Sequence, residues 1–169
     1  RKKVLNKHAR TNVCFDFEGC EPDYENKQGR VIAWEDVPQI DRIRVGLKFM
    51  LGNKGDGLVC EGNRYYSQKC GIGFHGDSER RKVIGVRFGE SMCMQWCWHI
   101  NSLAVGEKFE FEFNDGDMYI MSEKAVGSDW KRRKIYTLRH AAGAEKYLKE
   151  RRVKKVVVKK VKKEVVEEV

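Results

Sequence analysis

Across residues 36–51, apolar side chains return at three- and four-residue steps, at Val37, Ile40, Ile43, Leu47, Met50 and Leu51, and Gly52-Asn53 ends the run. The spacing predicts an amphipathic helix with Asp36 as its N-cap and Pro38 tolerated in its first turn. Beyond it the period shortens. Apolar runs at 58–60, 64–66, 71–74, 82–88, 91–98, 108–113, 118–121 and 134–139 are separated by glycine and Asn-Asp punctuation, which predicts a series of short strands. Phe109, Phe111 and Phe113 alternate with Lys108, Glu110 and Glu112, the signature of a strand with one buried face, and Asn114-Asp115-Gly116-Asp117 turns it into Met118-Tyr119-Ile120-Met121. A helix followed by an antiparallel β region, mostly β overall and closed as a double-stranded β-helix or jelly roll, is the expected architecture. Residues 1–30 are polar and broken by glycine and proline, with a short apolar piece around Val13, Cys14, Phe15 and Phe17.

Length leaves room for one domain with a real core, assigned to residues 1–150. Residues 151–169 differ in texture, a low-complexity mixture of Val, Lys and Glu that carries eight basic residues against three glutamates. Of the net charge of +9, this tail therefore supplies more than half, and the body is only mildly basic. No apolar run is long enough for a membrane span or a signal sequence, so an intracellular protein, cytoplasmic or nuclear, is expected. The chain opens on Arg1, as an excised fragment would. Six cysteines without a secretory signal read as reduced thiols, and Cys93 and Cys97, set among Met92, Met94, Trp96 and Trp98, read as core residues rather than a zinc pair.

Candidate chemistry concentrates in Gly71-Ile72-Gly73-Phe74-His75-Gly76-Asp77-Ser78-Glu79. Residues i and i+2 of a strand share a face, so His75 and Asp77 converge on one point. A second histidine from a distant strand would complete the two-histidine, one-carboxylate set used by non-haem Fe(II). Of the remaining histidines, His8 lies in the polar arm, His99 follows an aromatic strand, and His140 stands in Leu138-Arg139-His140-Ala141-Ala142-Gly143, where small residues permit close approach.

Asn63-Arg64-Tyr65 upstream, the Gly116-Asp117 turn and Thr137-Leu138-Arg139-His140 downstream follow in an order that resembles the AlkB family of Fe(II)- and 2-oxoglutarate-dependent dioxygenases. The resemblance covers roughly residues 10–150. It implies iron held by His75, Asp77 and His140, and 2-oxoglutarate hydrogen-bonded by Asn63 and Tyr65. A cation on the following segment, Arg151 or Lys146, would pair the distal carboxylate of the cosubstrate. It also implies Glu79 near the substrate, although a surface glutamate beside Arg80 and Arg81 is an equal reading, and it makes Trp130 a residue that either stacks on a base or packs. A second register remains open, in which Arg133, Thr137 and Arg139 match the closing Arg-x-Asn-x-Thr-x-Arg signature with Ile135 in place of asparagine. Arg139 and His140 cannot both face one site, since neighbouring strand residues point to opposite sides.

The activity implied is oxidative demethylation or hydroxylation of alkylated nucleic acid, coupled to conversion of 2-oxoglutarate to succinate and carbon dioxide. Basic residues at 80–82 and 131–134 would line a phosphate track, or form a solvated face. A protein hydroxylase and a non-catalytic nucleic-acid-binding jelly roll are the alternatives.

Overall fold

A computed structural model describes residues 10–149. Along the chain come β1 (Thr11–Asp16), β2 (Val31–Ala33), α1 (Pro38–Leu51), β3 (Cys60–Arg64), β4 (Gly71–His75), β5 (Val83–Val86), β6 (Met92–Ile100), β7 (Leu103–Phe113), β8 (Met118–Met121), α2 (Glu123–Val126), β9 (Thr137–Gly143) and α3 (Glu145–Leu148). They form three sheets with orders β2-β1-β3, β4-β9-β6-β7 and β5-β8. Apart from the parallel β1–β2 pair, every ladder is antiparallel. The expected mostly β architecture is present.

Pairing in the C-terminal two thirds is nested. β6 pairs with β7, β5 with β8 and β4 with β9, so the segment from β4 to β6 runs alongside the returning segment from β7 to β9. β9 also lies against β6, joining the outer and inner strands of the nest in one sheet. The innermost hairpin turns through Asn101 and Ser102, both at positive φ (50° and 65°), the conformation that matches the twist of two tightly joined strands.

The core sits between the four-stranded sheet and the β5-β8 pair with α2. Met94, Trp96, Met121, Val126 and Ala142 are buried there, with Ile72, Val83, Met92, Phe113, Tyr119 and Leu138 packed around them. The Trp96 indole N–H donates to the Ala125 carbonyl at 3.2 Å, satisfying the one polar atom this large side chain brings inside. α2 is a single turn that begins at Ser122, whose hydroxyl accepts from the Ala125 N–H, and ends at Gly127 with φ 73°.

Several sequence expectations need correction. The helix starts at Pro38, its N-cap is Val37 with no side-chain cap, and Asp36 belongs to a preceding 3-10 turn. Its apolar stripe is only half-buried, and Val45, Phe49 and Met50 are exposed, Phe49 at 91%. The runs at 58–60 and 64–66 are not two strands: one strand, β3, spans Cys60–Arg64 and lies against β1. β7 begins five residues before 108, and Phe109 and Phe111 remain 51% and 54% exposed on the face that was expected to be covered. The last strand begins at Thr137, not at residue 134, because Lys134, Ile135 and Tyr136 lie in an exposed connection. The basic tail and His8 fall outside the described residues. Among those described, no helix is long and apolar enough to cross a membrane.

Candidate metal centre

His75 is the last residue of β4, and His140 lies directly opposite it in β9. Opposed residues of an antiparallel pair share a face, so the two imidazoles stand side by side, with ring centroids 4.3 Å apart. A bulge between Ile72 and His75 makes this possible, since it puts both residues on the same side of the sheet despite their odd separation. Asp77 follows in the loop. Its backbone N–H donates to the Val126 carbonyl at 3.1 Å, which turns the carboxylate back toward the two rings. Asp77 Oδ1 lies 3.5 Å from His75 Nε2, and Oδ2 lies 4.0 Å from His140 Nε2. The ligand atoms of His75, Asp77 and His140 all fall within 4.8 Å of one another.

A glycine permits that loop. Gly76 is buried, and a Cβ built on it would lie 2.2 Å from the Gly127 carbonyl oxygen and 2.8 Å from the Trp130 Cβ. The turn after α2 is therefore packed against the backbone between His75 and Asp77. Sequence spacing suggested regular strand alternation for His75 and Asp77. What brings them together is a strand end followed by a loop anchored to α2.

The two histidines are prepared differently. His75 Nδ1 is 2.8 Å from the Gly73 carbonyl, which fixes Nδ1 as the protonated nitrogen and leaves Nε2 with a free lone pair. His140 is 6% exposed, and burial above all, with His75 and Arg80 adding to it, pushes its pKa down to about 3 against the opposing pull of the Ala125 carbonyl. It is therefore neutral at physiological pH, the form that binds a metal. Its Nδ1 is buried without a hydrogen bond of its own.

This depression has a consequence for the metal-free protein. Between the ordinary histidine value of 6.5 and about 3, the unfolded chain takes up a proton at His140 that the folded chain refuses, so stability falls as pH drops through that window. Urea midpoints measured with a chelator should decline from pH 7 to pH 5, and His140→Gln should flatten that decline. A variant whose slope matched the parent's would mean that the ring is not held neutral.

Arg80, which the sequence reading placed only in a basic run, holds the carboxylate. Its Nη1 donates to Asp77 Oδ2 at 3.4 Å, and its Nη2 donates to Glu61 at the start of the β3–β1 sheet. Glu61 balances the guanidinium charge, so Arg80 orients Asp77 without leaving an uncompensated cation beside the site. Arg80→Gln should weaken divalent metal binding by about 10-fold to 100-fold, as loss of a partner outside the ligand set does elsewhere. Isothermal titration with Fe(II) under anaerobic conditions reads this directly, and unchanged affinity would reduce Arg80 to a surface residue.

Other expected site residues are scattered. Asn63 is exposed at the end of β3, where its Oδ1 accepts from Arg10 Nε at 2.6 Å and from Asn12 at 3.2 Å. Tyr65 is half-buried, its hydroxyl raised in pKa by burial and lowered by the nearby charges of Arg10 and Arg87. Tyr119 was missed. It packs over Gly85, the residue opposite it, and burial raises its hydroxyl, which feels Tyr65, Arg87 and Asp77. Glu79 is exposed. Trp130 is half-buried and occupied, with its indole N–H donating to Ser78 Oγ at 2.9 Å and its ring carrying the Arg139 guanidinium at 5.4 Å.

Lys146 is not brought to the triad. Its ammonium lies over the neighbouring Tyr147 ring, on α3, and the Leu148 carbonyl of that helix accepts from Lys108. Trp96 is opposite both His140 and Phe109, so Phe109 is on the triad's face of the sheet and Lys108 is on the other. α3 is thus attached to the far side. Arg151 lies outside the described residues. The competing register also fails as a cosubstrate site, since Arg139 pairs opposite Cys97 and alternates away from His140.

No family model matches this chain, and no solved structure does. An uncharacterised protein of Acanthamoeba polyphaga mimivirus is 48% identical over 148 residues, which cover 87% of this chain, and the match spans 58% of that protein's length.

Proposed function

We propose that this chain is an Fe(II)- and 2-oxoglutarate-dependent oxygenase whose substrate is alkylated nucleic acid. The observation that carries the reading is the convergence of His75, Asp77 and His140, two imidazoles and one carboxylate from the end of one strand, its loop and the strand beside it. The donor set fits iron. Two neutral nitrogens and one carboxylate oxygen are what non-haem Fe(II) oxygenases use, and ligands drawn from one sheet edge leave the rest of the coordination sphere open. The nested pairing supports a jelly roll, because an antiparallel ribbon doubled over and joined along β6 and β9 is how such a roll is wound.

With iron and 2-oxoglutarate bound, dioxygen would be split between succinate with carbon dioxide and a hydroxylated C–H carbon of the substrate, chemistry that the metal and cosubstrate supply. The protein's part is placement. His75 and His140 offer Nε2, Asp77 offers an oxygen held by Arg80, and the Trp96 ring, 6.4 Å from the His140 ring, shields that ligand from water on the core side. Tyr65 and Tyr119 offer hydroxyls for a carboxylate, with Asn63 beside Tyr65 in the chain. Arg151, the first choice for the distal carboxylate, falls outside the described residues; Arg87, whose charge acts on both tyrosines and whose guanidinium donates to the Glu90 carbonyl, would be a candidate for that role in place of Lys146. A methyl group on a base nitrogen, once hydroxylated, loses formaldehyde, and a base must be unpaired or flipped to enter such a site.

Anaerobic addition of Fe(II) and then 2-oxoglutarate tests the reading, since their chelate absorbs in the visible. The band should form with the parent protein and be missing with His75→Ala and with Asp77→Ala. A parent protein that binds Fe(II) but never gives the band would leave a metal protein of another kind.

A further inference from the structure

Arg139 was the closing arginine of the rejected register, and its place in the fold gives it other work. It lies on the face of β9 away from His140, opposite the fully buried Cys97. Its guanidinium rests on the Trp130 ring, Nη2 donates to the Trp130 carbonyl at 3.4 Å, and Nε is buried without an acceptor. No carboxylate among the described residues pairs with it. Asp129, beside Trp130 in the chain, is engaged through Oδ2 by Lys124 at 2.7 Å. The charge that acts on Arg139 is instead another cation, Arg133. A partly buried guanidinium with an unused donor costs stability unless an anion joins it, and the exposed Arg133 adds positive charge to its surroundings.

We propose that Arg139 and Arg133 form a seat for a backbone phosphate of single-stranded nucleic acid. Phosphate suits the planar fork of donors. The four successive cations from Lys131 to Lys134, all exposed, extend positive charge along a line, which a single small carboxylate would not need and a chain of phosphates would use. Trp130 links the seat to the metal loop, because its indole reaches Ser78, the residue after Asp77. A strand anchored here would pass the loop that carries the metal carboxylate. The choice of a nucleic acid rests on the reading above, whereas the anion seat itself requires no iron and no turnover.

The test is fluorescence anisotropy of a labelled oligothymidylate with full-length protein in chelator, over a salt series. The parent should bind, and His75→Ala should bind equally well, which separates this seat from the oxygenase reading. Arg133→Gln should weaken binding severalfold and reduce the slope of log affinity against log salt by about one. Arg139→Lys, which keeps the charge but not the fork, should weaken binding too, with an unchanged melting curve showing that it folds. Lys54→Gln, an exposed cation in the turn after α1, should bind as the parent does. The proposal is overturned if the parent does not bind, if Arg133→Gln and Arg139→Lys bind like the parent, or if Lys54→Gln loses as much as they do. Equal displacement by oligoglutamate would also overturn it, since the seat would then be a general acidic-peptide surface.

Discussion

Replacing His140 by alanine is expected to lower Fe(II) affinity by more than about 100-fold, beyond the effect of losing a group that merely supports a ligand. Turnover should vanish with it. Arg139→Ala, one residue away, is expected to retain the metal. This pair of variants separates the two registers that the sequence left open. His140 stands opposite His75 with its Nε2 turned to Asp77, whereas Arg139 points to the other side of β9. Anaerobic calorimetry with Fe(II), followed by 2-oxoglutarate, gives the comparison. Fe(II) affinity retained by His140→Ala, with 2-oxoglutarate binding lost in Arg139→Ala, would reverse the assignment.

Gly76→Ala should be nearly as damaging although it removes nothing. The added methyl would meet the Gly127 carbonyl at 2.2 Å and the Trp130 Cβ at 2.8 Å, neither of them the far end of a flexible side chain. The loop must shift, and with it goes the bond from Asp77 N–H to Val126 that aims the carboxylate. A loss of about 1–3 kcal/mol in folding stability is expected from such overpacking, together with weaker metal binding in the molecules that fold. Gly73→Ala is the control. Its Cβ would meet only the Tyr147 carbonyl at 3.7 Å, and it should melt and bind metal like the parent. If Gly76→Ala bound Fe(II) normally, the loop would not be what positions Asp77.

The strands that carry clear alternation were legible in the sequence, and 118–121 was read to the residue. Lys134-Ile135-Tyr136 looks like the start of a strand by composition, yet Ile135 and Tyr136 are exposed at 42% and 59%, because the chain there crosses from α2 to β9 over the surface. The hairpin at Asn101-Ser102 lacks the glycine that marks most such turns, so the five residues before Lys108 were left out of β7. In α1 the three-and-four spacing was sound, but periodicity reports which side is apolar and not how much of it is covered.

The site divides along the same line. His75 and Asp77 are legible because both come from one short stretch. His140 was reached by setting the other histidines aside, and strand pairing places it there for a reason no linear spacing contains. Arg80 and Tyr119 were invisible for that reason, since their roles depend on Glu61 and Gly85 and on contacts across the sheets. Lys146 was named after Arg151 by its place on the following segment, and distance along the chain does not say which face of a sheet a following helix covers.

Release of succinate from 2-oxoglutarate in the presence of Fe(II) and dioxygen is the most direct test of the central claim, measured for the parent and for His75→Ala, Asp77→Ala and His140→Ala. The parent should form succinate, faster when methylated single-stranded DNA is added, and the three variants should form none above the protein-free background. Succinate formation that survives in any of the three, or no formation by a parent protein shown to hold Fe(II), would contradict the account.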